Sequence, residues 1–418
     1  MAQTDRDASS VRAEFREWLT AHWDPDLALV EWRTRLADSG WACPSWPVEW
    51  FGQGLPAWSE SIVHDELAEA GAVGPPVGGG MGLAAPTILA HGPDSLRRKL
   101  LHPILTGEHM WCQLFSEPGN GSDLAGLTTR AERDGDEWVI NGQKVWNTSA
   151  HHAEFGMLLA RSDWDVPKHK GISYFALPMH QPGVEVRPLR QMNRHASFNE
   201  VFLTDARVPA DMMVGEPGEG WRAALTTLAH ERRFAGMFRP RLPRVDGRAV
   251  REAQAEADEY FATYSWYPQR AGRADLLVDA AREQGRLEDP LVRQAIAAET
   301  ALVRANQWTA QRAQAARALG RPPGAEGSLG KLAASDVARG AALAHALIGG
   351  ASAMLDYEDG EMDGVVAEVL VSVPAVSIAG GTDQIQRNII GEQVLGLPRE
   401  PSVDRDIPFR EVPRNAGR

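Results

Sequence analysis

Cysteine is almost missing from this chain: Cys43 and Cys112 are the only two in 418 residues. Two thiols supply neither a disulfide framework nor a metal-ligand cluster, so small buried hydrophobes in a reducing compartment are the simpler reading. Positive charge is short as well, with 43 Lys and Arg against 56 Asp and Glu and a formal net charge of −13. That balance argues against a phosphate-tracking surface and therefore against a nucleic-acid partner. Long apolar runs are also lacking, because the most apolar late stretches are interrupted by His345, Glu368 and Pro374. The opening MAQTDRDASSVRAEF mixes both charge signs where a signal peptide needs an apolar stretch. The expectation is a cytoplasmic protein with no membrane contact. No GxGxxG follows a strand pattern, which excludes a Rossmann reading, and no internal repeat is visible.

What is present is ample apolar content, 43%, and a length that suggests two or three modules. Val11, Phe15 and Leu19 recur on one helical face behind Ser9 and Ser10, either of which suits a helix cap. Helical pattern resumes at about 58–70 and 95–105, so residues 1–110 read as mostly α. From 111 to 217 the period shortens to strands at 155–160, 171–178, 184–189 and 199–203, separated by Gly, Pro and Asp clusters. Asn141-Gly142 between apolar flanks reads as a type I′ hairpin turn. From 218 to 418 long alanine-rich helices return at about 219–238, 247–264, 273–284, 290–319, 328–355, 363–373 and 382–395, with Arg321-Pro322-Pro323-Gly324 as a hinge.

The stretch Phe115-Ser116-Glu117-Pro118-Gly119-Asn120-Gly121-Ser122-Asp123 packs two glycines, a proline and several oxygen-bearing side chains into nine positions. Its backbone can approach a ligand closely while offering N–H and O–H donors. Taken singly, Ser116 and Ser122 are better explained as turn residues and Trp146 as a core aromatic at the hairpin end.

Order and spacing change that reading. Ser116-Glu117-Pro118-Gly119-Asn120-Gly121-Ser122-Asp123, then Asn141-Gly142-Gln143-Lys144-Val145-Trp146-Asn147-Thr148, then Gly381-Thr382-Asp383-Gln384-Ile385-Gln386-Arg387-Asn388 together resemble the acyl-CoA dehydrogenase family. The resemblance implies an α+β fold: an N-terminal helical domain, a small central β-barrel-like domain and a C-terminal helical bundle. It implies FAD, which takes the β-hydride of an acyl thioester at flavin N5, because no side chain accepts hydride. Gln113, Phe115, Ser116, Gly121 and Ser122 then form one cofactor wall, and Trp146, Asn147 and Thr148 another. Thr382 and Gln384 match cofactor-contacting positions, and Gly349-Gly350 approach the adenosine of a neighbouring subunit. Ser122, Arg232, Gly380 and Gly381 match substrate-contacting positions. The implied partners are an acyl-CoA substrate, an electron-transfer protein, and further copies or a different chain in a homodimer, homotetramer or mixed oligomer.

The α-proton needs a base. Many family members carry Glu directly before the last Gly-Thr, but here Gly380 stands there. A second placement, seen in the isovaleryl-CoA and long-chain branches, matches Glu231 followed by Arg232. Trp221, Ala224, Leu225 and Leu228 make an apolar stripe that Glu231 continues, and burial there favours a carboxyl poised as a base. A helix-flank Glu paired with Arg232, Arg233 or another charge is the alternative, and the one that the residues favour without the resemblance. His230 beside it either tunes it or is a plain helix residue. Asp383, Glu358 and Glu361 read as solvated acids and weaker bases, while the Gly380 N–H remains able to polarise a thioester carbonyl. No Arg-x-x-Phe-Gly stretch appears in 270–286, so the adenine end has no matched contacts. Tyr260, Phe261, Tyr264, Trp266 and Tyr267 either pack the 239–270 segment down or roof an acyl pocket or partner interface. The functional alternatives are a non-catalytic FAD-sharing subunit and a flavin oxidase or monooxygenase on the same fold.

Overall fold

The computed structural model describes residues 6–234, 245–318, 326–355, 360–402 and 404–413. The chain divides into two compact units, one of residues 1–189, 197–263 and 403–418, the other of residues 190–196 and 264–402. The expected hinge at 321–324 and the weak base candidate Glu358 lie outside the described residues.

The first unit begins with α1 (Ala8–His22), α2 (Leu29–Asp38), α3 (Ser59–Ala70), α4 (Ala85–His91) and α5 (Asp94–Thr106). The cap of α1 is Asp7, whose Oδ1 accepts from the Ser10 N–H at 2.8 Å, in place of the expected Ser9 or Ser10. A carboxylate there also complements the helix dipole, which a serine one turn inside does not. Val11, Phe15 and Leu19 are buried as their spacing required, against Trp32 and Leu36 of α2.

Seven strands follow: β1 (Trp111–Leu114), β2 (Arg130–Asp134), β3 (Glu137–Thr148), β4 (Phe155–Arg161), β5 (Ile172–Pro178), β6 (Val184–Leu189) and β7 (Phe198–Pro209). They form one sheet in the order β1-β4-β2-β3-β7-β6, with β5 on β4. β1 runs parallel to β4, so the polypeptide must cross over between them, and the candidate loop lies within that crossover. Two helices, α6 (Gly220–Phe234) and α7 (Arg248–Ala262), and the late stretch 404–413 complete the unit. Ala223 and Ala224 of α6 join the core under the sheet, and Val250 and Ala253 of α7 join the core of the N-terminal helices. Tyr260 is buried with its ring against Gly78, so this aromatic packs its own segment down.

Asn141-Gly142 is not the hairpin turn. β3 runs straight through it, and β2 turns into β3 at Gly135-Asp136, with Asp134 paired to Glu137 and Gly135 at φ 59°. Asn141 instead clasps the neighbouring strand: its Nδ2 donates to Asp205 Oδ1 at 3.0 Å and its Oδ1 accepts from the Asp205 N–H at 2.9 Å. Gly142 sits at a bulge where a Cβ would lie 2.5 Å from Thr129 Oγ1. Close approach of strands explains the pair better than reversal of the chain.

The second unit contains α8 (Tyr267–Arg270), α9 (Leu277–Glu283), α10 (Pro290–Ala318), α11 (Glu326–Gly349), α12 (Val365–Ser372) and α13 (Asp383–Ile389). Its cores are alanine-rich where α11 packs: Ala341 and Ala344 meet Leu277 and Val292, and Ala338 and Ala342 meet Val369 and Val373. Small side chains let these helices approach closely, and Gly272 rests where a Cβ would lie 2.7 Å from the Ala338 Cα.

The bulge supplies a test. Gly142→Ala should destabilise the first unit by about 1–3 kcal/mol through overpacking against Thr129. Gly119→Ala, where a Cβ meets nothing within 4 Å, should stay within about 0.5 kcal/mol of the parent. Chemical denaturation of both variants measures the difference.

Candidate active site

β1 carries the chain through the core and releases it at Phe115, which is buried edge-on to Tyr174 at 5.9 Å. The next side chain but one, Glu117, turns inward. Its carboxylate is buried and accepts from Lys144 Nζ at 2.9 Å, from the Thr128 N–H at 2.7 Å and hydroxyl at 2.9 Å, and from the Thr129 N–H at 2.8 Å. Lys144, fully buried on β3, also donates to the Phe115 carbonyl at 3.1 Å. Burial pushes the Glu117 pKa upward, but the Lys144 charge and the threonine donors outweigh it and hold it at about 2. The two halves of the crossover loop are thus tied to one buried charge pair. Arg161, also fully buried, fastens the return leg by donating to the carbonyls of Ala125 (2.7 Å), Leu127 (3.1 Å) and Lys168 (3.0 Å).

Between these anchors the loop tip stands open. Pro118-Gly119 makes a tight reversal, with Glu117 and Asn120 exchanging backbone hydrogen bonds at 3.1 and 3.0 Å. Gly119, Gly121 and Ser122 are exposed, and a Cβ on either glycine would meet nothing within 4 Å among the described residues. Neither glycine has a positive φ. Among the described residues neither a close contact nor a left-handed backbone requires glycine there, and the bare backbone leaves its outer face open. Ser116 is half-buried, and its carbonyl accepts from the Val145 N–H at 2.9 Å.

That bond leads to the end of β3, where the strand bulges between Val145 and Asn147. Trp146 adopts φ 62° and is 57% exposed, with an edge contact to Phe198 at 5.8 Å. A left-handed tryptophan is strained by about 1–3 kcal/mol, and apart from its edge contact with Phe198 the indole is turned to solvent. Asn147 points the other way: it is buried, its Nδ2 donates to the Gln113 carbonyl at 2.7 Å, and its carbonyl accepts from Asn199 Nδ2 at 2.9 Å. Thr148 is half-buried beside it. The buried Oδ1 atoms of Asn147 and Asn199 and the Oγ of Ser149 have no partner among the described residues.

The third component is α6. Gly220 opens it where a Cβ would lie 2.5 Å from the Ser173 carbonyl carbon, so the helix starts against β5. The buried face runs through Ala223, Ala224 and Thr227, and Leu225 is exposed, which corrects the expected stripe by a small rotation. Polar locks explain it. Thr227 Oγ1 lies 2.9 Å from Thr87 Oγ1 and 3.2 Å from the Tyr174 hydroxyl, and Thr226 Oγ1 lies 2.8 Å from His91 Nε2. One turn beyond Thr227, Glu231 is half-buried and accepts from Gln113 Nε2 at 3.2 Å. His230 is half-buried next to it, and the Arg232 side chain is outside the described part. Gln113, Asn147 and Glu231 are therefore brought together in one hydrogen-bonded chain that begins at Asn199.

The second unit holds the remaining motif residues. Thr382 caps α13, its Oγ1 accepting from the Ile385 N–H at 3.3 Å, and Gln384 is exposed. Gly380 and Gly381 have φ 67° and 85°, and Gln386 Nε2 donates to both carbonyls at 3.1 and 3.3 Å. Gly350 has φ 55°, and a Cβ there would meet nothing within 4 Å among the described residues. Gly349 is crowded, because a Cβ there would lie 1.7 Å from Glu361 Oε2. Asp383 and Glu361 are buried, contrary to the expectation that they are solvated. Arg339 at 2.5 Å and Lys331 at 3.4 Å neutralise Asp383, and against the upward push of burial they and Ser335 hold its pKa at about 2. A carboxylate held that low is an anchor and a poor base. Burial, with Glu283 nearby, raises the Glu361 pKa.

Sequence reasoning gave no part to Lys144, Arg161, Asn199 or Thr227. Lys144 was readable: Trp138 and Ile140 face inward, and alternation carried straight through Asn141-Gly142 puts Lys144 on the same face. Taking that dipeptide as a turn broke the alternation. Arg161, Asn199 and Thr227 acquire their parts only through contacts distant in sequence.

Three family models match in order: acyl-CoA dehydrogenase N-terminal domain at residues 6–108, middle domain at 112–206 and C-terminal domain at 272–395. Acyl-CoA dehydrogenase IpdE1 of Mycobacterium tuberculosis is 35% identical over 94% of this chain and 99% of its own length. Acyl-CoA dehydrogenase FadE34 of the same organism is 37% identical over 87% of this chain, which spans only 46% of that longer protein. Among solved structures, the ChsE4-ChsE5 complex from M. tuberculosis shares 27% identity with a TM-score of 0.62, covering 96% of this chain and 100% of that one. A structure described as Tcur3481-Tcur3483 steroid ACAD shares 26% with a TM-score of 0.64, covering 94% and 99%.

The buried charge pair generates its own expected outcome. Glu117→Gln leaves the Lys144 ammonium buried without its counter-charge and should cost about 3–5 kcal/mol, whereas Glu117→Gln with Lys144→Met should cost less than the single change. Because the folded pKa of about 2 lies below the ordinary 4.5, the stability from Glu117 is present above about pH 4.5 and is lost as pH falls towards 2. Denaturation curves at pH 7 and down through that window check both points.

Proposed function

The chain belongs to the acyl-CoA dehydrogenase family, and from that premise we propose that it oxidises an acyl-CoA thioester at its α,β bond, with FAD as the redox group and Glu231 as the base. Members of this family are FAD-dependent. The residues present fit such a group: Trp146 offers an exposed indole on a strained backbone, Gly119 and Gly121 leave their outer faces open, and Asn147 keeps a buried oxygen with no partner among the described residues. Gln113, Phe115, Ser116, Gly121 and Ser122 would hold it on the loop side, and Trp146, Asn147 and Thr148 on the strand side. When bound, FAD supplies the acceptor for the β-hydride.

The observation that carries the reading is the run Asn199 to Asn147 to Gln113 to Glu231. It couples the strand end assigned to the cofactor with the carboxylate assigned to the α-proton. Glu231 takes that proton as the thioester enolises, and the Gln113 amide keeps the carboxylate aimed while the Thr227 contacts fix the helix beneath it. Ser122 and Arg232 are assigned to the substrate. For the second unit the proposal rests on the motif alone: Thr382, Gln384, Gly349 and Gly350 serve the cofactor, and Gly380 and Gly381 the substrate. The three sequence segments 1–110, 111–217 and 218–418 remain our proposed domain division, an electron-transfer protein our proposed acceptor, and the cytoplasm our proposed location.

Gly380 favours a second reading, in which the chain is one subunit of a mixed oligomer and the base comes from a different subunit. Two of the structural relatives are named as pairs, ChsE4-ChsE5 and Tcur3481-Tcur3483, and FadE34 is about twice as long as this chain. Purification of the chain alone separates the readings. A yellow protein bleached by one member of a straight-chain, branched and ring-bearing acyl-CoA panel supports catalysis. A colourless chain that gains flavin only with a second, different chain supports the mixed oligomer.

Two substitutions test the roles. Glu231→Gln should leave acyl-CoA binding intact and slow flavin reduction by at least about 10²–10⁴, the contribution of a positioned base; stopped-flow bleaching at a near-normal rate would remove Glu231 from the mechanism. Trp146→Ala and Thr148→Ala should lower FAD retention or alter its spectrum without unfolding the chain. Wild-type flavin content and spectrum in both variants would detach this strand end from the cofactor.

A further inference from the structure

The last described stretch, residues 404–413, belongs to the first unit and lies along the connection between β4 and β5. The Phe409 N–H donates to the Val166 carbonyl at 2.9 Å and the Arg410 N–H to the Trp164 carbonyl at 3.1 Å. The Phe409 ring is buried beside Trp164, with the Arg161 guanidinium 3.3 Å from its centre, and Arg410 pairs with Asp165. No motif assigns this stretch a role.

Two cations that receive the tail also hold the candidate loop. Arg161 carries the Ala125 and Leu127 carbonyls on its N–H groups while its face is covered by Phe409. Lys168 Nζ donates to Asp123 Oδ1 at 3.0 Å and to Asp404 Oδ2 at 2.6 Å, and the Lys168 carbonyl accepts from Arg161. We propose that residues 404–411 form a strap that positions the Ser122–Leu127 part of the loop for acyl-CoA, acting through Lys168 and Arg161, with Asp404 and Phe409 as positioning residues. The substrate half of this proposal rests on the function proposed above.

Two physical requirements favour a strap. An exposed, glycine-rich loop tip has few apolar contacts to offset its ordering entropy, so its order must come from the anchors at its foot. The Arg161 anchors are hydrogen bonds from a cation to backbone carbonyls, which strengthen when water is kept off the guanidinium face. The Phe409 ring supplies that cover. Asp404 gives the Lys168 ammonium a second carboxylate besides Asp123, so Lys168 meets the loop from a fixed place. Both devices come from a segment more than two hundred residues away in sequence.

Asp404→Asn and Phe409→Ala in the full-length chain test the strap by amide hydrogen exchange and by steady-state kinetics. Exchange at residues 121–127 should rise about tenfold or more while β4 and β5 stay protected. KM for acyl-CoA should rise several-fold with kcat nearly unchanged, as expected when a residue orders a binding loop without touching the reacting atoms. Should Phe409→Ala fail to fold, Asp404→Asn, which changes one side-chain atom, carries the test. Tail amides that become exposed while 121–127 remain protected overturn the strap. Loop exchange that rises with KM unmoved confines the tail to stability and overturns the positioning role. Failure of the enzyme reading itself is separate, because the parent chain would then show no bleaching by any acyl-CoA.

Discussion

The Glu117–Lys144 pair is the constraint on which the first unit's site depends. A crossover between the parallel strands β1 and β4 has to leave the core and return to it, and it leaves at a buried carboxylate that must be satisfied. Burying such a pair is a poor way to gain stability, since apolar side chains of similar volume usually do as well. What the pair gives is geometry. Four donors converge on Glu117 from β3 and from the far leg of the loop, so the strand that bears Trp146 and the loop that bears Ser116 and Ser122 are fixed relative to one another. Lys144 extends the same control to the Phe115 carbonyl, where the loop begins.

From that anchor the site is assembled by polar groups that rarely compete for the same partner. Asn147 serves as a joint, with its side chain on the Gln113 backbone and its backbone on the Asn199 side chain. Gln113 then spends its amide on Glu231. The helix carrying Glu231 is set by threonines: Thr226 and Thr227 reach His91, Thr87 and Tyr174 and leave the exposed Leu225 outside the packed face. A purely apolar interface would let α6 slide or roll with little penalty, whereas directional bonds fix its rotation. In the proposed mechanism that rotation decides where the base points.

The architecture was largely legible because length and period carry it. α10 spans Pro290–Ala318 where the pattern suggested 290–319, and β6 occupies Val184–Leu189 as expected. Legibility failed where a local signal had a distant cause. Asn141-Gly142 has the composition of a turn, yet its asparagine serves Asp205 and its glycine makes room for Thr129, both outside any local window. Asp383 and Glu361 looked like surface acids because burial of a charge on an alanine-rich helical bundle leaves no periodic trace. Arg339 and Lys331 come from another helix to meet Asp383, and Gly349 gives up its Cβ space to Glu361.

Gly380 shows how far such constraints reach. At φ 67° a residue with a side chain is strained by about 1–2 kcal/mol, although the space beside it is open. Gln386 clamps the carbonyls of Gly380 and Gly381, so relaxation of the turn would break hydrogen bonds as well. A carboxylate introduced here therefore meets backbone strain before it meets any substrate. Glycine, in return, gives the turn its left-handed shape without that cost and keeps its N–H, the one donor that every non-proline residue retains. In the proposed chemistry the donor stays in the last motif while the base lies elsewhere, a division that the backbone at Gly380 itself favours.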